Sequence, residues 1–214
     1  MENTALYPNS QALPPPPSEG AGGRNELYPV FLKLHQLNVL IVGGGNVGLE
    51  KLSFMLKSSP NANVEVVAPR FLPELEALAE KHPSVKLTPK KFNRWMLRKR
   101  NLVIACTDDL KVNKRVYDLS RRRYLICNIA DTPDLCDYYL GGIVTKGNVK
   151  IAISTNGKSP TTAKRLREFF EEVIPEDVNK MVENLNEYRK TLKGNFEEKV
   201  HRMNEITEAL KNKS

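Results

Sequence analysis

The stretch NVLIVGGGNVGLEK, residues 38–51, decides the fold of this chain. Four apolar residues, Val39 to Val42, run directly into three glycines, and an amphipathic segment opens at Asn46. A short apolar strand that ends in glycine and reopens as a helix is typical of the first turn of a nucleotide-binding βαβ unit. The stretch therefore predicts an α/β protein with a Rossmann-like, doubly wound parallel sheet. The alternative is a glycine-rich turn that only packs.

The glycines of this G-x-G-x-x-G pattern have different expected roles. Gly43 allows the tight turn, Gly45 lets the backbone approach a pyrophosphate, and Gly48 lets the helix pack closely on the strand. The helix expected to begin at Val47 would direct its free N–H groups and the positive end of its dipole at the phosphates. These glycines are therefore candidate cofactor-binding residues.

Composition restricts the class of protein. The 214 residues suffice for one large domain or two small ones, and 40% hydrophobic with 27% charged residues suits a globular chain. The formal net charge is +8. Such a charge fits a nucleic acid or an acidic small molecule as partner, or a basic surface that aids solubility.

Cysteine usage and hydropathy indicate the compartment. Cys106, Cys127 and Cys136 form no C-x-x-C motif, which argues against a disulfide scaffold and favours a reducing compartment. Cys106 and Cys127 each lie in or after an apolar run and are predicted core thiols. No run approaches the roughly 18 apolar residues of a membrane span, and the N-terminus lacks the order of a signal peptide. We therefore expect a cytoplasmic protein.

Composition also divides the chain into four segments. They are a disordered tail (1–26), an NAD-binding Rossmann domain (27–135), a pair of strands (136–160) and a helical C-terminal domain (161–214). The tail carries PPPP at 14–17 and GAGG at 20–23, and it has too few apolar residues to pack. In the third segment two apolar runs are joined by Lys146-Gly147-Asn148, which is typical of a β-hairpin.

The Rossmann segment is predicted to alternate strands and helices. The expected strands are 37–42, 64–68, 85–88, 102–106 and 124–129, and the expected helices are 47–57, 73–81 and 110–122. Residues 92–97 are expected to form a short helix or turn, and Trp95, the only tryptophan, is interpreted as a packing residue in preference to a ligand contact.

The end of the second strand is unusual for a dinucleotide-binding fold. An acidic residue commonly follows this strand and binds the ribose hydroxyls, whereas this chain has Ala68, Pro69 and Arg70 there. Glu65 is acidic but lies in the middle of the strand. Ribose recognition is therefore expected to be irregular, and Arg70 leaves the choice between NAD and NADP open.

Polar residues also follow the fourth and fifth strands. Ligands of doubly wound sheets lie outside the carboxyl ends of the strands, so Thr107 and Asp108 are expected beside the cofactor. The alternative, compatible with the first, is that Asp108 or Asp109 caps the next helix. Asp131 follows the fifth strand in the same way, and it is either a catalytic carboxylate or an ordinary turn residue.

A second anion site is suggested after the hairpin. Ser159 is the expected N-cap and Pro160 the first residue of the next helix, with Lys158, Lys164 and Arg165 close in sequence. The alternative is an ordinary capped helix with a solvated basic face.

The last forty residues carry two apolar stripes at helical spacing. They are Val178, Met181, Val182, Leu185, Tyr188 and Leu192, then Phe196, Val200, Met203, Ile206 and Leu210. These stripes favour packing or a dimer surface over cofactor contacts.

Four stretches in this order resemble one known family. They are YPVFLKL from Tyr28, VLIVGGGNVGLEK from Val39, the ACTDD and CNIAD motifs between Ala105 and Asp131, and IAISTNGKSPTTAKRLRE from Ile151. Over residues 28–175 the chain resembles the precorrin-2 dehydrogenase/sirohydrochlorin ferrochelatase family, the dehydrogenase module of siroheme synthase. The helical tail fits more loosely.

The resemblance implies an NAD-dependent oxidation of precorrin-2 to sirohydrochlorin, followed in some members by ferrous iron insertion in the same pocket. It assigns cofactor contacts to Asn46, Val47, Pro69 and Arg70 and the catalytic role to Asp131. The tetrapyrrole has eight carboxylates, which suits a basic chain. The candidate substrate-binding residues are Thr155, Lys158 and Ser159. The resemblance also implies a homodimer in which residues 136–160 are dimerisation strands.

Some residues depart from the family pattern. They are Gly141-Gly142, Thr155-Asn156 and Cys136-Asp137-Tyr138, and they concern the tetrapyrrole pocket and chelation more than the cofactor site. We also expect the methyltransferase domain that is fused to this module in some relatives to be absent. The three histidines are scattered, so a permanent metal site is not expected.

Two other functions remain open on the sequence alone. One is a non-enzymatic NAD(P)- or nucleic-acid-binding Rossmann protein, motivated by the charge and by the basic runs 98–100 and 121–123. Nucleic acid is disfavoured because aromatic residues are not interleaved with the basic ones as stacking platforms. The other is a different NAD(P)-dependent reductase, which requires Arg70 to contact a 2′-phosphate.

Overall fold

A computed structural model describes residues 25–208 of the chain. The strands within this range are β1 (Val39–Val42), β2 (Val64–Ala68), β3 (Val85–Pro89), β4 (Leu102–Ala105), β5 (Ile126–Ile129), β6 (Gly142–Lys146) and β7 (Val149–Ile153). The α-helices are α1 (Asn46–Ser58), α2 (Pro73–Glu80), α3 (Leu110–Arg121), α4 (Pro160–Val173), α5 (Val178–Thr191) and α6 (Phe196–Thr207).

The first five strands form one parallel sheet in the order β3-β2-β1-β4-β5. This order reverses between β1 and β4, which is the topological switch point of a doubly wound sheet and the usual location of its ligand. The predicted Rossmann-like fold class is confirmed.

Alternate residues of the central strands enter two separate cores, as the two-residue period of a strand requires. Val39 and Ile41 of β1 pack with Leu52 of α1 on one face, whereas Leu40 and Val42 pack on the other face. The second core also contains the Cys127 side chain, and Cys106 lies in the first. Both thiols are buried, as predicted.

Glu65 holds strands together instead of meeting a ribose. The Thr88 hydroxyl donates a hydrogen bond to it at 2.5 Å, and the Arg100 guanidinium donates another. Burial by itself raises the pKa of this carboxyl, but the bonds from Thr88 and Arg100 together hold its pKa below the ordinary value of 4.5. Glu65 is therefore a structural residue that ties β2 to β3 and to the segment before β4.

The second sheet is an antiparallel hairpin of β6 and β7, as predicted. Helix α4 packs on β6, and α5 contacts both β7 and α6. Lys150 of β7 donates to the Ser58 carbonyl at the end of α1, which links the hairpin to the Rossmann domain. No residue of α4, α5 or α6 is buried within the described part of the chain, so these helices keep apolar side chains such as Phe169 and Phe196 exposed.

Several local predictions were wrong. Leu37 lies before β1, and β5 begins at Ile126 because Tyr124 adopts a left-handed backbone (φ 56°) that cannot continue a strand. Trp95 packs less than expected: 59% of it is exposed, and the Arg94 guanidinium lies 4.6 Å from its ring centroid. Most of the predicted tail, and Leu210, fall outside the described residues.

Candidate functional site

The glycine turn between β1 and α1 (Gly43–Gly45) begins with a backbone conformation that only glycine adopts easily. Gly43 has φ 138°, and a Cβ there would lie 2.6 Å from the Cys106 carbonyl oxygen. This close approach brings the turn after β1 against the residue that follows β4. Gly43 thus has the tight-turn conformation expected from the sequence.

Two other glycines are required by packing. A Cβ at Gly48 would lie 2.3 Å from the Gly43 carbonyl oxygen, so α1 approaches the end of β1 as closely as predicted. A Cβ at Gly44 would lie 2.4 Å from the Arg70 carbonyl oxygen. The Gly44 carbonyl also accepts a hydrogen bond from the Leu72 amide at 3.0 Å. The turn after β2 therefore packs directly on the glycine turn.

Gly45 differs from the other glycines because neither packing nor conformation requires it. Its φ of −89° and ψ of −163° are open to any residue, and a Cβ there would meet nothing within 4 Å. Gly45 is also the N-cap of α1, where no side chain caps the helix. Free amides and open space at one point fit the pyrophosphate of a dinucleotide.

The candidate cofactor residues that follow β2 have exposed side chains. Pro69 and Arg70 are both exposed, and Arg70 makes no ion pair within residues 25–208. Its backbone is fixed against Gly44, so its side chain starts beside the glycine turn. Asn46 is exposed at the start of α1, and Val47 is half-buried.

Thr107 is held by a partner that the sequence analysis missed. Asn113 on α3 is buried, donates to the Thr107 carbonyl at 2.8 Å, and accepts from the Thr107 amide at 3.1 Å. The Thr107 hydroxyl donates to the Asn113 side chain or to the Asp109 carbonyl. Asp109 is the N-cap of α3 and accepts from the amides of residues 111 and 112. Asp108 is left exposed at this edge.

Asp131 lies exposed at the same edge of the sheet, two residues beyond β5. Its backbone is left-handed, with φ 58°, and the Thr132 amide closes a turn around it by donating to the Ile129 carbonyl at 3.3 Å. Because β5 is two strands from β1, Asp131 is about 10 Å across the sheet from the glycine turn.

A clasp of residues 136–138 covers the free side of β5. Asp137 accepts from the Cys127 amide at 2.9 Å and donates its own amide to the Cys127 carbonyl at 2.8 Å. The Cys136 thiol lies 3.2 Å from the Ile129 carbonyl. Asn128, which is buried, donates to the Tyr138 carbonyl at 2.8 Å. The sequence signal for this clasp was the C-D-Y triplet, which we interpreted only as a departure from the family.

The second candidate site lies at the end of β7. Thr155 accepts from the Ser159 amide at 3.3 Å and donates to the Ser159 carbonyl at 3.0 Å. Ser159 caps α4 by accepting from the Thr162 amide at 3.2 Å, and Pro160 is the first helical residue, as predicted. Lys158 is exposed. Within the described chain no hydrogen bond joins these residues to the glycine turn or to Asp131.

The buried thiol beside the glycine turn is not a nucleophile. Burial raises the pKa of Cys106 to about 12, and the nearby Lys51 ammonium opposes this only in part. Cys106 therefore stays a neutral core thiol near pH 7. Residues 25–208 hold no group of three or more His, Cys, Asp or Glu side chains arranged to bind a metal ion, and no helix in that range could span a membrane.

Comparison with known families agrees with this geometry. Residues 30–142 match the model of a family described as putative NAD(P)-binding. The chain belongs to this NAD(P)-binding family. In this family member, the matched range holds all of the candidate cofactor residues and Asp131. Residues 146–172 match a second model, described as "Sirohaem biosynthesis protein central".

Relatives of this NAD(P)-binding protein include two bacterial siroheme synthases. That of Thioalkalivibrio sulfidiphilus is 34% identical over 168 residues, covering 78% of this chain and 34% of the relative. That of Pseudoalteromonas translucida is 35% identical over 171 residues, covering 80% and 36%. The chain thus spans about a third of the length of these relatives.

A solved structure is also similar along most of its length. It is that of SirC, a precorrin-2 dehydrogenase, with 26% sequence identity and a TM-score of 0.67. The similarity covers 84% of this chain and 89% of the SirC chain. It extends beyond the Rossmann domain, because that domain alone could not account for such coverage.

Proposed function

We propose that this protein is an NAD-dependent dehydrogenase that oxidises precorrin-2 to sirohydrochlorin in siroheme biosynthesis. The NAD(P)-binding family match, the siroheme synthase relatives and the similarity to a precorrin-2 dehydrogenase structure support the proposal. The observation that carries it in the structure is the pairing of an open, uncapped helix N-terminus at Gly45 with an exposed carboxylate, Asp131, at one edge of the sheet.

The cofactor would be held by the residues that surround the glycine turn. The amides at the start of α1 would bind the pyrophosphate, and Asn46, Val47, Pro69 and Arg70 would contact the rest of the dinucleotide. Thr107 and Asp108 would lie beside it at the switch point. NAD, when bound, would supply the hydride acceptor for the reaction.

Asp131 is the proposed general base. Oxidation of precorrin-2 removes a hydride and a proton, and an ionised carboxylate near the reacting carbon can accept that proton. The left-handed turn presents Asp131 outside the end of β5, where the substrate would lie. The remaining task of the chain is to hold the two reactants close together and to exclude water.

The substrate would be anchored by the loop after β7. Lys158 offers an exposed ammonium, and Thr155 and Ser159 shape the loop at the start of α4. Charge-assisted hydrogen bonds from such donors suit the carboxylates of a tetrapyrrole. Ferrous iron would be a substrate of a second step, in which Asp131 would accept pyrrole protons as sirohydrochlorin takes up the metal.

The working form is proposed to be a cytoplasmic homodimer. Support comes from the large apolar side chains that α4 and α6 expose, among them Phe169, Val173 and Phe196, because exposed apolar surface can mark a protein interface. The three free cysteines suit a reducing compartment. Sedimentation equilibrium of the purified chain measures the oligomeric state directly.

Replacement of Asp131 tests the mechanism. Asn also adopts a left-handed backbone readily, so Asp131→Asn should keep the fold and NAD affinity while reducing kcat on precorrin-2 by roughly 10²–10⁴-fold. Asp134→Asn, in the same loop and also exposed, is the matched control and should retain full activity. Wild-type kcat in Asp131→Asn would exclude this residue as the base.

A further inference from the structure

The turn that presents Asp131 has an unfavourable backbone conformation. For residues other than glycine a left-handed φ is less favourable than a right-handed one, and although Asp and Asn adopt it more readily than most, local contacts are needed to fix it. The closing bond of this turn, from the Thr132 amide to the Ile129 carbonyl, is long at 3.3 Å. Other contacts must therefore hold the turn in place.

The Cys136 thiol contacts the backbone on both sides of Asp131. Its sulfur lies 3.2 Å from the Ile129 carbonyl and 3.4 Å from the Thr132 carbonyl. It also accepts from the Ile129 amide at 3.4 Å and from the Asn128 side chain at 3.4 Å. One side chain thus spans the start and the end of the turn.

The Ile129 amide depends on this thiol. In the parallel pairing of β4 and β5, the amide of residue 130 donates to the Ala105 carbonyl, so the amide of Ile129 points away from β4. Ile129 is buried, and Cys136 is the partner of its amide among the described residues. An amide left unpaired there would lose its hydrogen bonds to water without replacing them, which would destabilise the turn. Burial also raises the pKa of Cys136, which keeps the thiol protonated and able to donate.

We propose that Cys136 is a positioning residue for the reaction, because its thiol clamps the turn that holds the Asp131 carboxylate beside the bound substrate. Asn128 supports the thiol and is itself fixed by its bond to the Tyr138 carbonyl. The inference rests on the proposed function, since it assigns Cys136 a role through Asp131.

The test compares the same substitution at two cysteines of this region. Cys136→Ala should lower kcat on precorrin-2 about tenfold, the equivalent of one lost hydrogen bond, while the KM for precorrin-2 and the Kd for NAD stay unchanged. Cys136→Ser should recover most of kcat because the hydroxyl can again donate and accept. Cys127→Ala, a buried thiol in the second core, is the control and should leave kcat intact.

Amide hydrogen exchange provides a readout that does not depend on activity. The Ile129 amide should exchange at least tenfold faster in Cys136→Ala than in Cys127→Ala. Equal exchange in the two variants, or a kcat in Cys136→Ala no lower than in Cys127→Ala, would overturn the positioning role and leave the proposed function standing. Wild-type protein that leaves precorrin-2 unoxidised would instead overturn the proposed function.

Discussion

At the scale of single residues, the glycines around the turn after β1 differ in whether the fold requires them. Gly43 and Gly48 have no room for a Cβ, whereas Gly45 has open space around its Cβ position. The proposed pyrophosphate position would explain a glycine that neither the backbone nor the packing requires. We therefore expect that a substitution at Gly45 changes cofactor binding without changing the fold.

The pair Gly45→Ala and Gly43→Ala tests this separation. Gly45→Ala should leave the free energy of unfolding in urea within about 0.5 kcal/mol of wild type while weakening NAD binding about tenfold or more, measured by calorimetry. Gly43→Ala should lower stability by more than 1 kcal/mol, because the new Cβ is forced against the Cys106 carbonyl. An alanine at position 45 that binds NAD as tightly as wild type would contradict the proposed pyrophosphate position.

At the scale of elements, Glu65 connects β2 to β3 and to the segment that precedes β4. Its side chain is 14% exposed and that of Arg100 is 19% exposed, so this ion pair is poorly screened by water. Lys86 also approaches Glu65 but is largely exposed and should contribute little. This connection holds the outer strand β3 and the segment before β4 against β2.

Glu65→Gln should destabilise the protein by roughly 1–3 kcal/mol at pH 7, because the Arg100 guanidinium loses its charged partner. The folded pKa of Glu65 is lowered, so its contribution is present above the ordinary value of 4.5 and is lost as pH falls through the lower, folded value. The difference between variant and wild type should therefore disappear in acid. Urea unfolding measured at a series of pH values checks this, with the exposed Glu50→Gln as control. A difference that persists in acid would assign the effect to packing.

Sequence periodicity was sufficient to predict the strands and helices, but not the contacts between them. The apolar runs predicted the central strands of the parallel sheet, because strands buried on both faces are almost wholly apolar. The edge strand β3 has no buried residue and alternates apolar and polar side chains. Asn113 and Asn128 could not be found in the same way, since a buried asparagine looks identical to a solvated one in sequence. Trp95 was misplaced for the converse reason: a large apolar residue is not always buried.

At the scale of the whole molecule, the positive charge is concentrated in one part of the fold. Residues 90–123 hold twelve Lys or Arg and three Asp, a net +9, against +8 for the entire chain. These residues lie in the segment before β4, in β4 itself and in α3 with the residues that flank it. The positive charge of the whole chain can therefore attract a polyanionic substrate without directing it to the candidate site.

Charge reversal at the far end of α3 separates attraction by the overall charge from binding at the candidate site. Arg122 and Arg123 lie at the edge of the sheet opposite Asp131, because α3 runs back from the end of β4. The double variant Arg122→Glu/Arg123→Glu should change the KM for precorrin-2 less than about twofold in physiological salt, where such distances are screened. Lys158→Ala should raise this KM roughly tenfold. Equal effects would mean that substrate capture depends on the overall field.

The most direct test of the central claim is the turnover of precorrin-2 by the purified wild-type chain with NAD, followed by absorbance. Sirohydrochlorin and reduced NAD should appear in equal amounts, and neither should appear when NAD or the protein is omitted. Folded protein that binds NAD but leaves precorrin-2 unchanged would contradict the proposed function. It would mean that the fold and the cofactor site serve another reaction.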